Sequence, residues 1–254
     1  MIIDILTLFP EMFGGIIDSS IIKRAIEKEA VTINVRDFRE FAAKKNLRVD
    51  DYSYGGGAGM IIEVQPIVSC LQAIPNYLQA KKIITTPSGI KYSQEKATAY
   101  SEEKHLIIIC GHYEGIDNRI INYVDEEVSI GDFILTGGEI AALTIIDSVV
   151  RLLPKVLGNE ESIEIESFDN GLLEFPQYTR PLNFKGYQVP DVLTSGNHEN
   201  IRKWRRFKAL EKTYKMRPDL LEKAKLTKED ETFLALIKKG EGYEINETDK
   251  LLKN

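Results

Sequence analysis

The chain has 254 residues, a formal net charge of −6, 43% hydrophobic and 28% charged residues, and two cysteines. That length and balance fit a folded chain with a substantial core and exclude a low-complexity or disulfide-stapled class. No apolar run approaches the ~20 residues of a membrane helix, and the opening MIIDILTLFPEMF lacks the basic start of a secretory signal, so a cytoplasmic protein with no membrane partner is expected.

Residues 1–8 alternate in polarity and read as a strand stopped by Phe9-Pro10. Residues 10–15 read as a turn, and Ser19 and Ser20 as caps of an amphipathic helix over 21–29. A second strand follows at 31–35, and then a stretch that carries Arg36, Arg39, Lys44, Lys45 and Arg48. The run Gly55-Gly56-Gly57-Ala58-Gly59 reads as a loop that closes on a substrate, since the Lys-Ser/Thr that a phosphate-cradling P-loop needs is missing. A helix is expected over 64–80, a strand at 82–86 that ends in Pro87-Ser88-Gly89, and a polar helix over 93–101.

The densest signal lies in residues 106–143. Residues 106–110 (LIIIC) form a continuous apolar run, as a strand covered on both faces does. A weaker strand signal combines Val128 with residues 133–135. Both run into glycine (Gly111, Gly131, Gly137, Gly138), which lets backbone approach a ligand at the carboxyl ends of strands. An apolar helix follows over 139–153, so residues 1–155 read as an α/β domain with a mainly parallel sheet.

Periodicity is lost between Pro154 and Gln177, and residues 156–190 read as a linker. Helical patterns at 195–214, 218–224 and 228–239 make residues 191–254 a small helical domain. Between Gly196 and Lys225 ten Lys/Arg face four acids. Such a basic face suits a polyanion partner, and a solvated helix surface reads the same way. Trp204 stands among Arg202, Lys203, Arg205 and Arg206, where it can stack a base or anchor the helix to its own core.

The chain has no dinucleotide fingerprint near the first strand, no G-x-S-x-G and no metal-ligand spacing, which excludes the common dehydrogenase and hydrolase patterns. Cys70 and Cys110 read as buried reduced thiols. Of the three histidines, His105 reads as a surface residue before a strand, and His112 and His198 as contact residues in turns.

Five motifs in order, CGHYEGID (110–117), SIGDFILTGGE (129–139), GGGAGM (55–60), YTRP (178–181) and SGNH with Arg202, Trp204 and Arg205, resemble those of the bacterial tRNA (guanine-N1)-methyltransferases. The resemblance covers nearly the whole chain. It implies a deep trefoil knot in the α/β domain, a homodimer, and methyl transfer from S-adenosylmethionine to N1 of guanosine 37 in tRNA. It also implies a cofactor pocket lined by Pro87, Ser88, Gly111, Tyr113, Glu114, Ile130, Gly131, Asp132, Phe133, Ile134, Leu135 and Gly138. Gly56, Gly57, Gly59, Ser195, Asn197, His198, Arg202 and Arg205 are implied as tRNA contacts, and Arg151 as the arginine that faces the guanine. The family's aspartate base sits in an Asp-Ser-Phe triplet; here the triplet is Glu166-Ser167-Phe168, so Glu166 is the expected base and Asp169 the fallback. The family resemblance admits magnesium, for which no residue cluster marks a site. An RNA-binding protein on the same scaffold, with weak or no methyl transfer, is the alternative.

Overall fold

The computed structural model describes residues 1–43, 46–157, 167–168 and 171–243. The chain forms two compact units, Met1–Gly158 and Asn159–Asn254. The first is an α/β layer structure. Five parallel strands, β1 (Ile2–Thr7), β2 (Thr32–Asp37), β5 (Lys81–Lys91), β6 (His105–Cys110) and β7 (Glu126–Ser129), stand in the order β2-β1-β6-β5-β7. A two-stranded antiparallel pair, β3 (Asp50–Asp51) and β4 (Ile61–Ile62), carries the glycine-rich loop between its strands.

Helices cover both faces of the sheet. On one face α1 (Glu11–Ile17), α2 (Ser20–Glu27), α4 (Gln94–Ser101) and α5 (Glu139–Val150) bury Ile3, Ile5, Leu106, Ile108 and Cys110. On the other, α3 (Val64–Gln72) covers Leu6, Ile107 and Ile109. β6 therefore sends alternate residues into two cores, the reason its sequence is apolar without alternation.

Several expectations are corrected. Residues 10–15 are not a turn but the start of α1, because Pro10 supplies a helical φ at the N-cap, where the missing N–H is not needed. Ser19 holds the N-cap position of α2, yet its hydroxyl donates to Gly15 O at 2.7 Å instead of capping. α3 stops at Gln72, well short of residue 80. β5 continues past Pro87 to Lys91, with residues 86–89 looped out of the ladder: both Thr85 and Ile90 pair with Val128. Residues 133–135 are not a strand; β7 ends at Ser129, and Phe133 and Ile134 are exposed. His105 is not a surface residue but the first residue of β6, with Nε2 at 2.8 Å from the buried carboxylate of Asp4, which also accepts from Arg36 at 2.6 Å.

The second unit contains a small exposed hairpin, β8 (Asn183–Phe184) with β9 (Tyr187–Gln188), and three helices, α6 (His198–Met216), α7 (Pro218–Leu221) and α8 (Lys228–Lys239). Its core joins Leu172, Phe207, Leu210, Phe233 and Ile237, with Phe175 packed against it. α8 opens on a capping box: Thr227 Oγ1 accepts from Asp230 N, and Asp230 Oδ2 accepts from Thr227 N at 2.8 Å.

Asp230 also accepts two hydrogen bonds from Arg206, at 2.7 and 2.8 Å. Burial alone would raise its pKa, but the Arg206 and Thr227 hydrogen bonds reverse this and hold the carboxyl below the ordinary 3.8. A carboxylate whose pKa is lower folded than unfolded stabilises the fold above the unfolded value, and that contribution is lost as pH falls through the folded value. Asp230→Asn should cost about 1–3 kcal/mol at neutral pH, with the difference from the parent shrinking below about pH 4. Urea denaturation followed by circular dichroism across pH 3–7 measures it.

Candidate functional site

Three loops at the carboxyl ends of β5, β6 and β7 enclose a cavity of about 430 Å3. In a parallel sheet this end is where ligands sit, since the chain changes direction there and leaves a crevice. The first wall is the excursion of residues 86–89. Pro87 has no N–H to give the ladder, and Ser88 N donates to Thr86 Oγ1 at 3.4 Å to close the loop. The chain returns at Gly89, where a Cβ would lie 2.4 Å from Val128 N, so only glycine lets β5 rejoin β7 there.

The second wall, residues 111–116, follows β6. Tyr113 adopts a left-handed φ of +58°, a strained conformation for a non-glycine residue. The turn is held from outside by β4, with Ile62 N donating to Gly115 O at 2.9 Å and Asp117 N to Ile62 O at 2.9 Å. Gly59 in the glycine-rich loop lies against Glu114: a Cβ there would be 2.4 Å from Glu114 Cγ. His112 packs between Phe9, with centroids 4.7 Å apart, and Tyr113, at 5.1 Å. Its Nδ1 is buried without a hydrogen-bond partner among the described residues.

The third wall, residues 130–138, leaves β7 and crosses back over β5 to the end of β6. Gly138 N donates to Gly111 O at 2.7 Å, and Gly137 bridges His112 in antiparallel fashion. A Cβ on Gly138 would stand 2.2 Å from Thr85 Oγ1 and 2.8 Å from Gly111 N. Beneath the crossing Glu139 begins α5, fully buried, its Oε1 accepting from the Thr7 hydroxyl at 2.8 Å. The α5 N-terminus supplies favourable partial charge for that carboxylate.

Of the residues expected at the cofactor, Pro87, Ser88, Gly111, Tyr113, Glu114, Ile130, Gly131, Phe133, Ile134, Leu135 and Gly138 all line this cavity. Asp132 does not; it is exposed and outside the lining. His112, Thr85 and Ile116 also line it and were absent from the expected set, although the CGH turn marked His112 as a contact residue. Thr7 and Glu139, which hold the crossing, had one faint signal: an acid directly after a Gly-Gly pair at the start of an apolar helix. Cys110, at the end of β6, is no nucleophile, because burial raises its thiol far above the ordinary value; burial likewise pushes Cys70 up to about 12.

Arg151 is the half-buried C-cap residue of α5 and is not part of the lining. Glu166 and Asp169 lie outside the described residues, as do Lys44 and Lys45. Gly56, Gly57 and Gly59 stand in an exposed loop with φ of +79°, +133° and +80°. In the second unit Asn197 caps α6, its Oδ1 accepting from Asn200 N at 3.1 Å, and Ser195 Oγ donates to Val192 O at 2.8 Å. Both are thus engaged in local structure. His198 is exposed at the first position of α6. Arg202 is not an open cation: it pairs with Glu199 and Glu229. Trp204 is 5% exposed, which settles it as a helix anchor and not a stacking surface. Arg205 lies with its guanidinium carbon 5.0 Å over the Phe175 ring. Among the described residues there is no group of three or more His, Cys, Asp or Glu that could hold a metal ion, and no helix long and apolar enough to cross a membrane.

The family described as tRNA (Guanine-1)-methyltransferase TrmD matches residues 1–223. The chain is 54% identical over 233 residues to the tRNA (guanine-N(1)-)-methyltransferase of Clostridium tetani, which covers 92% of this chain and 97% of that protein. It is 52% identical over 243 residues to the proteins of that name from Bacillus cereus and Bacillus anthracis, covering 94% of this chain and all of theirs.

The Thr7–Glu139 bond ties the end of β1 to the crossing. Thr7→Val keeps the volume but leaves a buried carboxylate short of a donor, at a cost of about 1–3 kcal/mol. Equilibrium urea denaturation should register that loss, and an unchanged midpoint would show that the bond does not hold the crossing.

Proposed function

The chain belongs to the tRNA (guanine-1)-methyltransferase family, and from that membership we propose that it transfers a methyl group from S-adenosylmethionine to N1 of guanosine 37 of tRNA, beside the anticodon. The observation that carries the reading is the strand-end cavity. Its volume lies inside the ~300–1,000 Å3 range of small-molecule sites. Gly138 has no room for a side chain, and His112 Nδ1, a buried polar atom without a hydrogen-bond partner among the described residues, is the kind of atom a ligand would satisfy. These features fit a nucleoside-bearing cofactor. Membership across nearly the whole chain favours turnover over the binding-only alternative.

S-adenosylmethionine, when bound, supplies a methyl group on a sulfonium, which needs alignment more than covalent help. Pro87, Ser88 and the glycine turns would hold the adenosine, with Glu114 near the amino end of the cofactor. Exposed Phe133 and Ile134, with half-buried Leu135, would close over it and exclude water. Guanine N1 carries a proton at neutral pH and lies on the Watson–Crick edge, so the base must be unpaired and a carboxylate must take that proton as the N1–methyl bond forms. We assign that proton to Glu166 by its place in the Glu-Ser-Phe triplet. Arg151 would steady negative charge developing on the guanine. α5 is about 18 Å long by helical rise, so Arg151 at one end and the cavity at the other are a helix length apart. That separation supports a site completed by a second copy of the chain, a homodimer. The return of residues 130–138 over β5 and β6 supports the family's trefoil-knotted topology.

In this reading residues 1–155 bind the cofactor, 156–190 link and carry the base, and 191–254 bind tRNA, all in the cytoplasm. Incubation with labelled S-adenosylmethionine and unmodified tRNA bearing guanosine 37, with and without magnesium, tests it. Label should transfer, and Glu166→Gln should lower the rate by about 10²–10⁴-fold while tRNA binding survives. No transfer by the folded parent contradicts the reaction. Parental rate in Glu166→Gln with a dead Asp169→Asn moves the base to Asp169, and a monomer by sedimentation at assay concentration contradicts the shared site.

A further inference from the structure

The second unit holds a cavity of about 440 Å3 that the reaction above does not use. Phe175, Tyr178, Arg180, Leu193 and Arg205 are among the residues that line it. Three observations give it a chemical character. The Arg205 guanidinium carbon lies 5.0 Å from the centre of the Phe175 ring, a cation–π pair that sets a cationic group beside an aromatic one. Tyr178 is 49% exposed, and its ring packs at a tilt against buried Trp204, with centroids 6.3 Å apart. The remaining polar lining, Gln177 with Thr179 and Thr194, offers donors and acceptors that suit the edge of a heterocycle.

The charge around the cavity points the same way. α6 and its flanks are rich in cations, yet most of them are neutralised within the unit. Arg202 meets Glu199 and Glu229, Arg206 meets Asp230, Lys208 and Lys215 share Glu211, and Arg217 meets Asp219. Arg205 and Arg180 have no carboxylate partner among the described residues, and both face this cavity. Uncompensated charge and exposed aromatic surface therefore coincide at one place.

We propose that this cavity is a second nucleobase site, in which an unstacked base of the tRNA substrate lies between Tyr178 and the Arg205–Phe175 pair, with its phosphate on Arg180. The proposal rests on the tRNA reading above and extends it to a site other than the methyl-accepting one. A cavity bounded by aromatic and guanidinium planes prefers a flat ring, whereas a bare phosphate would need only a point charge.

Trp204 is the only tryptophan in the chain and touches the cavity wall, so its fluorescence reports on occupancy. The full-length protein is titrated with unmodified tRNA bearing guanosine 37, with GMP, and with inorganic phosphate. A saturable change with tRNA, a weaker one with GMP and none with phosphate are expected. Tyr178→Leu and Arg205→Ala should each weaken tRNA binding about 10-fold and raise KM for tRNA, with affinity for S-adenosylmethionine unchanged. Arg205→Lys, which keeps the charge and loses the plane, should bind as weakly as Arg205→Ala. Full rescue by lysine, or an equal response to phosphate, would overturn the base site in favour of a phosphate contact. Parental tRNA affinity in Tyr178→Leu would overturn it outright. A parent protein that responds to GMP but transfers no methyl would keep this site while the reaction fails; methyl transfer with every variant parental in tRNA affinity would do the reverse.

Discussion

The contact on which the first unit depends is a backbone crossing with no space to spare. Gly138 N donates to Gly111 O at 2.7 Å, and the Thr85 hydroxyl lies so close beneath that any Cβ at Gly138 would collide with it. This contact brings the chain leaving β7 back to the end of β6, and α5 starts there. The cavity wall, the helix start and the buried Thr7–Glu139 bond are consequences of that one approach. A carboxylate this deeply buried is tolerated because it has a hydroxyl donor and a helix N-terminus. The same buried bond ties the start of α5 to the end of the first strand.

The second unit shows how far a charge count can mislead. Ten cations in thirty residues suggest a basic face, but carboxylates from α6, α7 and α8 take up six of them. Exposed pairs of this kind add little stability each; their larger effect is to remove Arg202 and its neighbours from the positive field. Arg205, which has no carboxylate partner among the described residues, lines the cavity together with Arg180 and Tyr178. Selectivity for a polyanion can thus arise on a chain that is acidic overall, since the attraction is local.

Where local rules and tertiary structure agree, the sequence was readable. LIIIC in β6 and the capped helix α8, with bounds Lys228–Lys239, are of this kind. The eleven residues expected at the cofactor that line one cavity were reached through the family motifs, not through periodicity. Local reading failed where the chain does something non-local. Residues 133–135 look like a strand by composition, but after the turn at Gly131, whose φ is +155°, they line the cavity with Phe133 and Ile134 exposed. Pro87 looked like the end of β5, yet the strand resumes at Ile90 because Gly89 admits the β7 backbone. His105 and Thr7 gained their partners, Asp4 and Glu139, across 101 and 132 residues of chain, a separation no window can see.

The central claim is that the three strand-end loops form one cofactor site. Amide hydrogen exchange, measured with and without S-adenosylmethionine, tests it most directly. Exchange should slow together in residues 88–89, 111–116 and 130–138, while the β8–β9 hairpin is unaffected. Protection missing from any two of the three loops, or confined to the second unit, would contradict the account.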